Sequence, residues 1–367
     1  MAKNKLFHTA AEGMAFRSKE RCYPTGCRLL NTAFGMFDPI TGLPGIPQAT
    51  VLEAFGPNAS LKTALWESLA GNIHKINPEA RVLAILSEEP DYQRFLEAGM
   101  DMDRVDCWTY YNPNNAGLIS SIEEGLDLVN ECVSDPKSNY ELVVIDSLKG
   151  MTPSGDLFDK KGEVREMNDK GALVARASLS NNFFGRFAAC NKSRAILFGT
   201  NQVSDQIGPS YLTGGNFKTQ TACGRGKEHW AKLRIECNST LPDATDKVEK
   251  GFFENKVYNV IKPVYYLQKN KYGYPFRKVI SEFSLTEKRF LNEVNCLSAA
   301  EYLNLIERRG TSIWVIEGQS CRSKAEAQRF LHENQDVQDR LWRQIDSRHV
   351  ELFGTPKAKS SKEALDD

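Results

Sequence analysis

This sequence has no excess of either charge: 47 Lys and Arg stand against 47 Asp and Glu. A globally basic nucleic-acid binder is thereby excluded, and any polyanion site has to come from local charge. Long apolar runs are also missing; none approaches the roughly 18–20 residues that span a bilayer, so no membrane partner is expected. The opening stretch MAKNKLFHTAAEGMAFRSKERC holds no apolar core and no small-residue cleavage site. No leader is expected, and the expected compartment is the cytoplasm. Nine cysteines occur without a CxxC pair, the closest being Cys22 and Cys27. That spacing argues against a metal or disulfide framework and for reduced, buried thiols. No internal repeat is present.

What is there is an ordinary globular composition, 41% hydrophobic and 26% charged over 367 residues. That length fits one large α/β core and a smaller unit. Residues 1–24 are polar and basic and read as an arm, a candidate subunit-docking segment. The core, 25–290, alternates strand and helix patterns. ATVLEAFG (49–56), RVLAILS (81–87), ELVVIDS (141–147) and AILFGTNQ (195–202) are short apolar runs of the buried-strand type. Leu118, Ile122, Leu126, Val129 and Val133 form a helical stripe between them. The alternation predicts a mainly parallel, twisted sheet flanked by helices. Two polar, Gly-rich stretches interrupt it, about 155–170 and 203–227, and should open on one sheet edge. Residues 297–353 read as a separate small α+β domain, with the strand IWVIEG (313–318) and a helix carrying Val337, Leu341 and Ile345. The tail, 354–367, is low in apolar residues and predicts disorder.

GPNASLKT, residues 56–63, follows a predicted strand and precedes a predicted helix, the context of a phosphate-binding loop. Backbone N–H groups of Gly56, Pro57's neighbours Asn58, Ala59 and Ser60, and Leu61 would surround phosphates at a helix N-terminus. Lys62 would contact the β- and γ-phosphates of ATP, and the Thr63 hydroxyl would ligate Mg²⁺. Leu61 stands where a glycine is expected; the leucine is strained if the backbone needs positive φ there. Asp146 ends the LVVID strand, the place of a Mg²⁺-associated carboxylate. Glu88 ends another strand, from which it could polarise an attacking water; Glu89 is its rival.

The order of these pieces resembles the RecA recombinase family over roughly 25–350. TGCRLLNTAFG (25–35) is similar to the segment before the family's phosphate loop. SEEPDY (87–92) resembles the region of the catalytic glutamate, here Glu88, and of an adenine-contacting Asp and Tyr, here Asp91 and Tyr92, with Phe95 as the alternative. IDSLKGMTP (145–153) resembles the second nucleotide strand and the start of DNA loop one. TNQVSDQIG (200–208) resembles the γ-phosphate switch, which gives Gln202 that role, and LQKNKYGYPF (267–276) resembles paired lysines, here Lys269 and Lys271, that reach ATP on the neighbouring subunit. The stretch 302–341 resembles the family's C-terminal domain, which hexameric helicases lack.

The resemblance implies an ATP- and Mg²⁺-dependent recombinase that forms helical filaments on single-stranded DNA and pairs it with double-stranded DNA, with ATP between subunits. Single-strand binding and loader proteins are implied as partners. Loops 155–170 and 203–227 would hold DNA, through Met167, Ile207, Gly208, Lys218, Arg225 and Lys227, and Arg176 matches a DNA-contacting arginine of the family. Ser204, Gln206, Val264 and Tyr266 stand where the family has basic residues. With Leu61 and a shorter arm, these departures point to a divergent, phage-type member acting on DNA in the cytoplasm of an infected bacterium. Two other readings stay open: a non-hydrolysing DNA-binding mediator, and a ring-forming motor or helicase.

Overall fold

The computed structural model describes residues 9–110, 121–159, 163, 173–205, 219–224, 226–240, 246–247, 256–257 and 259–353. The chain forms two compact units. One comprises Gln48–Lys271 and Pro275–Phe290; the other takes the residues up to Pro47, Tyr272–Tyr274 and those from Leu291 onward.

The larger unit is α/β. Its elements run β1 (Val51–Phe55), α1 (Lys62–Ile76), β2 (Arg81–Leu86), α2 (Tyr92–Glu97), β3 (Val105–Thr109), α3 (Ile122–Ser134), β4 (Tyr140–Asp146), α4 (Leu173–Cys190) and β5 (Ile196–Asn201). They continue with β6 (Val203–Asp205), β7 (Thr219–Thr221), α5 (Gly226–Trp230), β8 (Leu233–Thr240), β9 (Val260–Asn270), β10 (Lys278–Ile280), β11 (Phe283–Ser284) and β12 (Arg289–Phe290). One ten-stranded sheet has the order β12–β11–β9–β8–β1–β5–β4–β2–β3, with β10 also on β9. From β8 through β3 every pairing is parallel; β9 to β12 pair antiparallel. β6 and β7 form a separate antiparallel hairpin.

The four expected core strands are therefore present as β1, β2, β4 and β5. Their runs are apolar because helices cover both faces of a parallel sheet. Val143, Ile145, Leu83, Ile85 and Leu197 pack with Ile122, Leu126, Val129 and Val133 of α3 and with Phe183, Phe184 and Phe187 of α4. Each such side chain contributes roughly 1.5–3 kcal/mol on burial. Leu118 of the expected stripe lies outside the described residues. Helix α1 approaches the end of α2 closely: a Cβ on Gly71 would sit 1.8 Å from the Ala98 carbonyl oxygen, so only glycine fits.

In the smaller unit, α6 (Asn292–Tyr302), β13 (Glu307–Arg309), β14 (Ile313–Ile316), β15 (Gln319–Cys321), α7 (Lys324–Glu333) and α8 (Gln335–Phe353) enclose Leu297, Trp314, Ile316, Leu331, Leu341, Trp342 and Ile345. Leu29, from the helix Arg28–Phe34, packs on this core, and Arg28 pairs with Asp346 of α8. Residues 25–47, expected with the core, thus join the C-terminal helices. Periodicity does not show which unit they join, because their partners there, such as Asn292 and Asp346 for Arg28, lie 264 and 318 residues further along the chain. All nine cysteines are free thiols.

Candidate nucleotide site

Parallel strands all end on one edge, and a ligand site forms where strand order reverses beyond their carboxyl ends. Here β1 runs through a turn into α1, while β5 and β4 lie between β1 and β2. A cavity of about 430 Å³ opens at that edge, within the size range of small-molecule sites. Asn58, Ala59, Lys62 and Thr63 line it from the loop, Glu88, Glu89 and Asp91 from the segment after β2, Asp146 from the end of β4, and Thr200 and Gln202 from the end of β5.

Local sequence shapes the loop. Gly56 has φ 155°, and a Cβ there would lie 1.9 Å from the Cys237 carbonyl oxygen. Leu61 does sit in the left-handed region, at φ 61° and ψ 24°, as the N-cap of α1. Ala59 has φ 58° as well. The loop thus holds two non-glycine residues in a conformation that costs roughly 1–2 kcal/mol each. The Lys62 ammonium donates to the carbonyls of Gly56 (3.1 Å) and Pro57 (2.6 Å) and to Ser60 Oγ (3.1 Å). Burial holds it below the ordinary lysine pKa, against the opposing pull of Cys237 and Asp146. The Thr63 hydroxyl donates to Asp146 Oδ2 at 3.0 Å, and Trp66 Nε1 donates to the same oxygen at 2.8 Å. Thr200 Oγ1 donates to Asp146 Oδ1 at 2.5 Å.

The charge of the cavity is informative. Among the described residues, Lys62 and Arg94 are its cations, against Glu67, Glu88, Glu89, Asp91 and Asp146. Arg94 is already paired with Glu67, whose carboxyl is pushed up by burial and pulled back by that guanidinium. Of these described residues a polyanion would meet one unpaired cation and four carboxylates, a balance that a divalent ion would improve. A hydroxyl next to a carboxylate at a helix N-terminus suits Mg²⁺, whose ligands are oxygens. The residues present therefore fit a Mg²⁺–triphosphate.

The other expected site residues divide. Tyr92 is 49% exposed and outside the cavity lining, whereas Arg94 and Phe95 line it. Asp91 caps α2 by accepting from the Gln93 N–H, which sets the helix so that Phe95 turns inward and packs edge-on against Trp66. Lys269 and Lys271 do not line this cavity; Lys269 Nζ donates to the Glu228 carbonyl at 2.6 Å, and Lys271 is exposed. Lys227 corrects the expectation of a DNA-contacting charge. Its side chain is 1% exposed, with Nζ donating to the Gly224 carbonyl at 2.5 Å and lying 3.9 Å from Glu53, so the charge is held inside. Arg176 falls in α4. Met167, Ile207, Gly208, Lys218 and Arg225 lie outside the described residues.

Sequence reading missed Glu67, Arg94 and Glu53. Glu53 is a carboxylate inside an apolar strand, which was signal enough to ask for its partners.

Fold and loop define a P-loop nucleotide-binding protein with a RecA-type sheet. The RecA N-terminal domain model matches residues 18–287, and the chain belongs to that family. Protein RecA of Streptomyces coelicolor is 27% identical over 326 residues, covering 88% of this chain and 76% of the relative. Protein RecA of Roseiflexus castenholzii is 23% identical over 371 residues, covering 100% and 95%. Protein RecA of Chlamydia pneumoniae is 25% identical over 327 residues, covering 88% and 82%. At family level this is a divergent RecA-like recombinase chain. Members of the family are DNA-dependent ATPases that use ATP with Mg²⁺, bind DNA and form filaments. Among the described residues no helix is long and apolar enough to cross a membrane.

Proposed function

We propose that this chain is itself an ATP-dependent recombinase: it assembles on single-stranded DNA in the cytoplasm as a helical filament and drives homologous pairing and strand exchange with duplex DNA. The observation that carries the reading is the acid-rich cavity at the strand ends, with Lys62, Thr63 and Asp146 together and, among the described residues, too few cations for a triphosphate. Such a site is incomplete in one subunit. Lys269 and Lys271 of a neighbour would supply the missing charge, which makes turnover depend on assembly.

Bound ATP would supply the phosphoryl group and Mg²⁺ would screen its charge. Lys62 binds phosphate oxygens, Thr63 and Asp146 hold the ion, and Asp91 with Phe95 takes the base. Glu88 orients and deprotonates the water, and Gln202 reads the phosphate at the end of β5. Met167, Arg176, Ile207, Gly208, Lys218 and Arg225 contact DNA, and the arm before residue 25 docks on the next subunit.

The test is ATP hydrolysis with and without single-stranded DNA, paired with a D-loop assay. Stimulated turnover and joint-molecule formation are expected, both abolished in Lys62→Ala; wild-type turnover in that variant sinks the reading. Leu61 in the left-handed region favours a second reading, a mediator that binds nucleotide and DNA without hydrolysis. Nucleotide binding with no turnover above background would select it.

A further inference from the structure

A buried carboxylate has no part in the reading so far. Glu53 lies in the middle of β1, the strand between β8 and β5, and is 2% exposed. A charge there costs several kcal/mol unless it is paired and hydrogen-bonded. Its Oε2 accepts from Arg234 Nε at 2.7 Å, its Oε1 accepts from Asn201 Nδ2 at 2.9 Å, and Lys227 Nζ is 3.9 Å from Oε1. Glu53 is in register with Arg234 on β8, and Arg234 with Lys269 on β9. Residues paired across neighbouring strands share a face, so the three form one row.

This row reaches both legs of the β6–β7 hairpin. On the first leg, Asn201 ends β5, and its Oδ1 accepts from the Gln202 N–H at 2.9 Å. On the second, Asn201 Nδ2 also donates to the Ala222 carbonyl at 3.1 Å, and Lys227 Nζ donates to the carbonyls of Gly224 (2.5 Å) and Thr221 (3.4 Å). At the far end of the row, Arg234 lies 3.3 Å from the Glu228 carboxylate, and Lys269 Nζ donates to the Glu228 carbonyl.

We propose that Glu53 is a positioning residue: its carboxylate ties Gln202, both legs of the β6–β7 hairpin and the Lys269 row into one body, so that DNA at the hairpin and nucleotide at the cavity are coupled through it. The hairpin's DNA role rests on the function proposed above. The tie itself rests on geometry. Without the carboxylate, buried Lys227 loses the anion nearest to it, Arg234 keeps only Glu228, and the second leg loses its anchor.

The test is Glu53→Gln, which keeps volume and removes charge. Hydrogen exchange of the free protein should quicken about tenfold at residues 203–205 and 219–224 while α3 is unchanged. Affinity for a fluorescent ATP analogue with Mg²⁺ should stay within about twofold, while stimulation of turnover by single-stranded DNA falls about tenfold. Unchanged hairpin exchange overturns the proposal. So does uniform quickening that includes α3, since Glu53 would then serve only overall stability. Should the single variant fail to fold, Glu53→Gln with Lys227→Met removes anion and stranded cation together; its hairpin should still loosen, and normal exchange there overturns the tie. If the unaltered protein shows no DNA-stimulated turnover, the recombinase reading falls, and the exchange arm still decides the role of Glu53.

Discussion

Thr63 Oγ1 donates to Asp146 Oδ2 at 3.0 Å, joining the first turn of α1 to the end of β4. Asp146 also accepts from Trp66 Nε1 and Thr200 Oγ1. An asparagine can keep this geometry. Its oxygen faces Thr63 and Trp66, and its amide donates to Thr200, whose hydroxyl can accept. Asp146→Asn should therefore fold with little change in melting midpoint, yet lose Mg²⁺-dependent turnover by about 100-fold, because only the charge is gone. Asp146→Ala strands the Trp66 N–H and should cost about 1–3 kcal/mol of stability as well. Steady-state hydrolysis and thermal melting of both variants check this pair of outcomes.

Leu61 offers a test of stored backbone strain. A leucine in the left-handed region costs roughly 1–2 kcal/mol, of which glycine's extra unfolded-state freedom returns part. Leu61→Gly should raise the unfolding free energy by roughly 0.5–1 kcal/mol in urea titration. A drop would mean that the leucine side chain contributes packing that outweighs the strain.

Much of the site was legible because its residues lie at the ends of apolar runs. Lys62, Thr63, Asp146 and Glu88 could each be placed from a strand pattern and a turn, Gln202 came from the family resemblance of TNQVSDQIG, and the structure brings all five to one cavity. What was not legible depends on register between distant strands. Glu53, Arg234 and Lys269 fall in one row only because β8 pairs with β1 on one side and β9 on the other. Lys227 was expected to contact DNA from the Gly-rich stretch 203–227; its side chain instead turns inward from α5 toward Glu53. Tyr92 and Phe95 differ by a helical rotation that the Asp91 cap sets, and no spacing rule reveals it. The grouping of 25–47 with the C-terminal helices rests on contacts such as Arg28 with Asp346, more than 300 residues apart in sequence.

The paired lysines make a separate prediction. Neither touches the cavity of its own chain. Burial, Lys271 and Arg234 together hold the Lys269 ammonium below the ordinary lysine pKa, against the pull of Glu228. If both act on a neighbour's nucleotide, Lys269→Ala and Lys271→Ala should bind ATP normally as free protein. Turnover on long single strands should fall at least about tenfold, as expected for loss of a cation that acts at the transition state. Parent-like turnover on those strands would remove the lysines from the reaction.

His74 sits in α1, and its Nδ1 accepts the Asp101 N–H at 2.9 Å, which assigns the proton of the neutral ring to Nε2. That Nε2 is buried and finds no partner among the described residues. Burial lowers the pKa from its ordinary 6.5, with Arg104 adding to the effect and Asp101 opposing it. The sign follows directly. As pH falls past 6.5 the unfolded chain takes up the proton first, while the folded ring stays neutral. The stability associated with the neutral ring is fully present above that value and is lost as pH falls through the folded pKa. His74→Asn keeps an acceptor for the Asp101 N–H and cannot titrate. Between about pH 7.5 and 5.5 the parent's melting midpoint should fall by roughly 2 °C more than that of the variant. Parallel melting curves would mean that the imidazole titrates alike in the folded and unfolded chains.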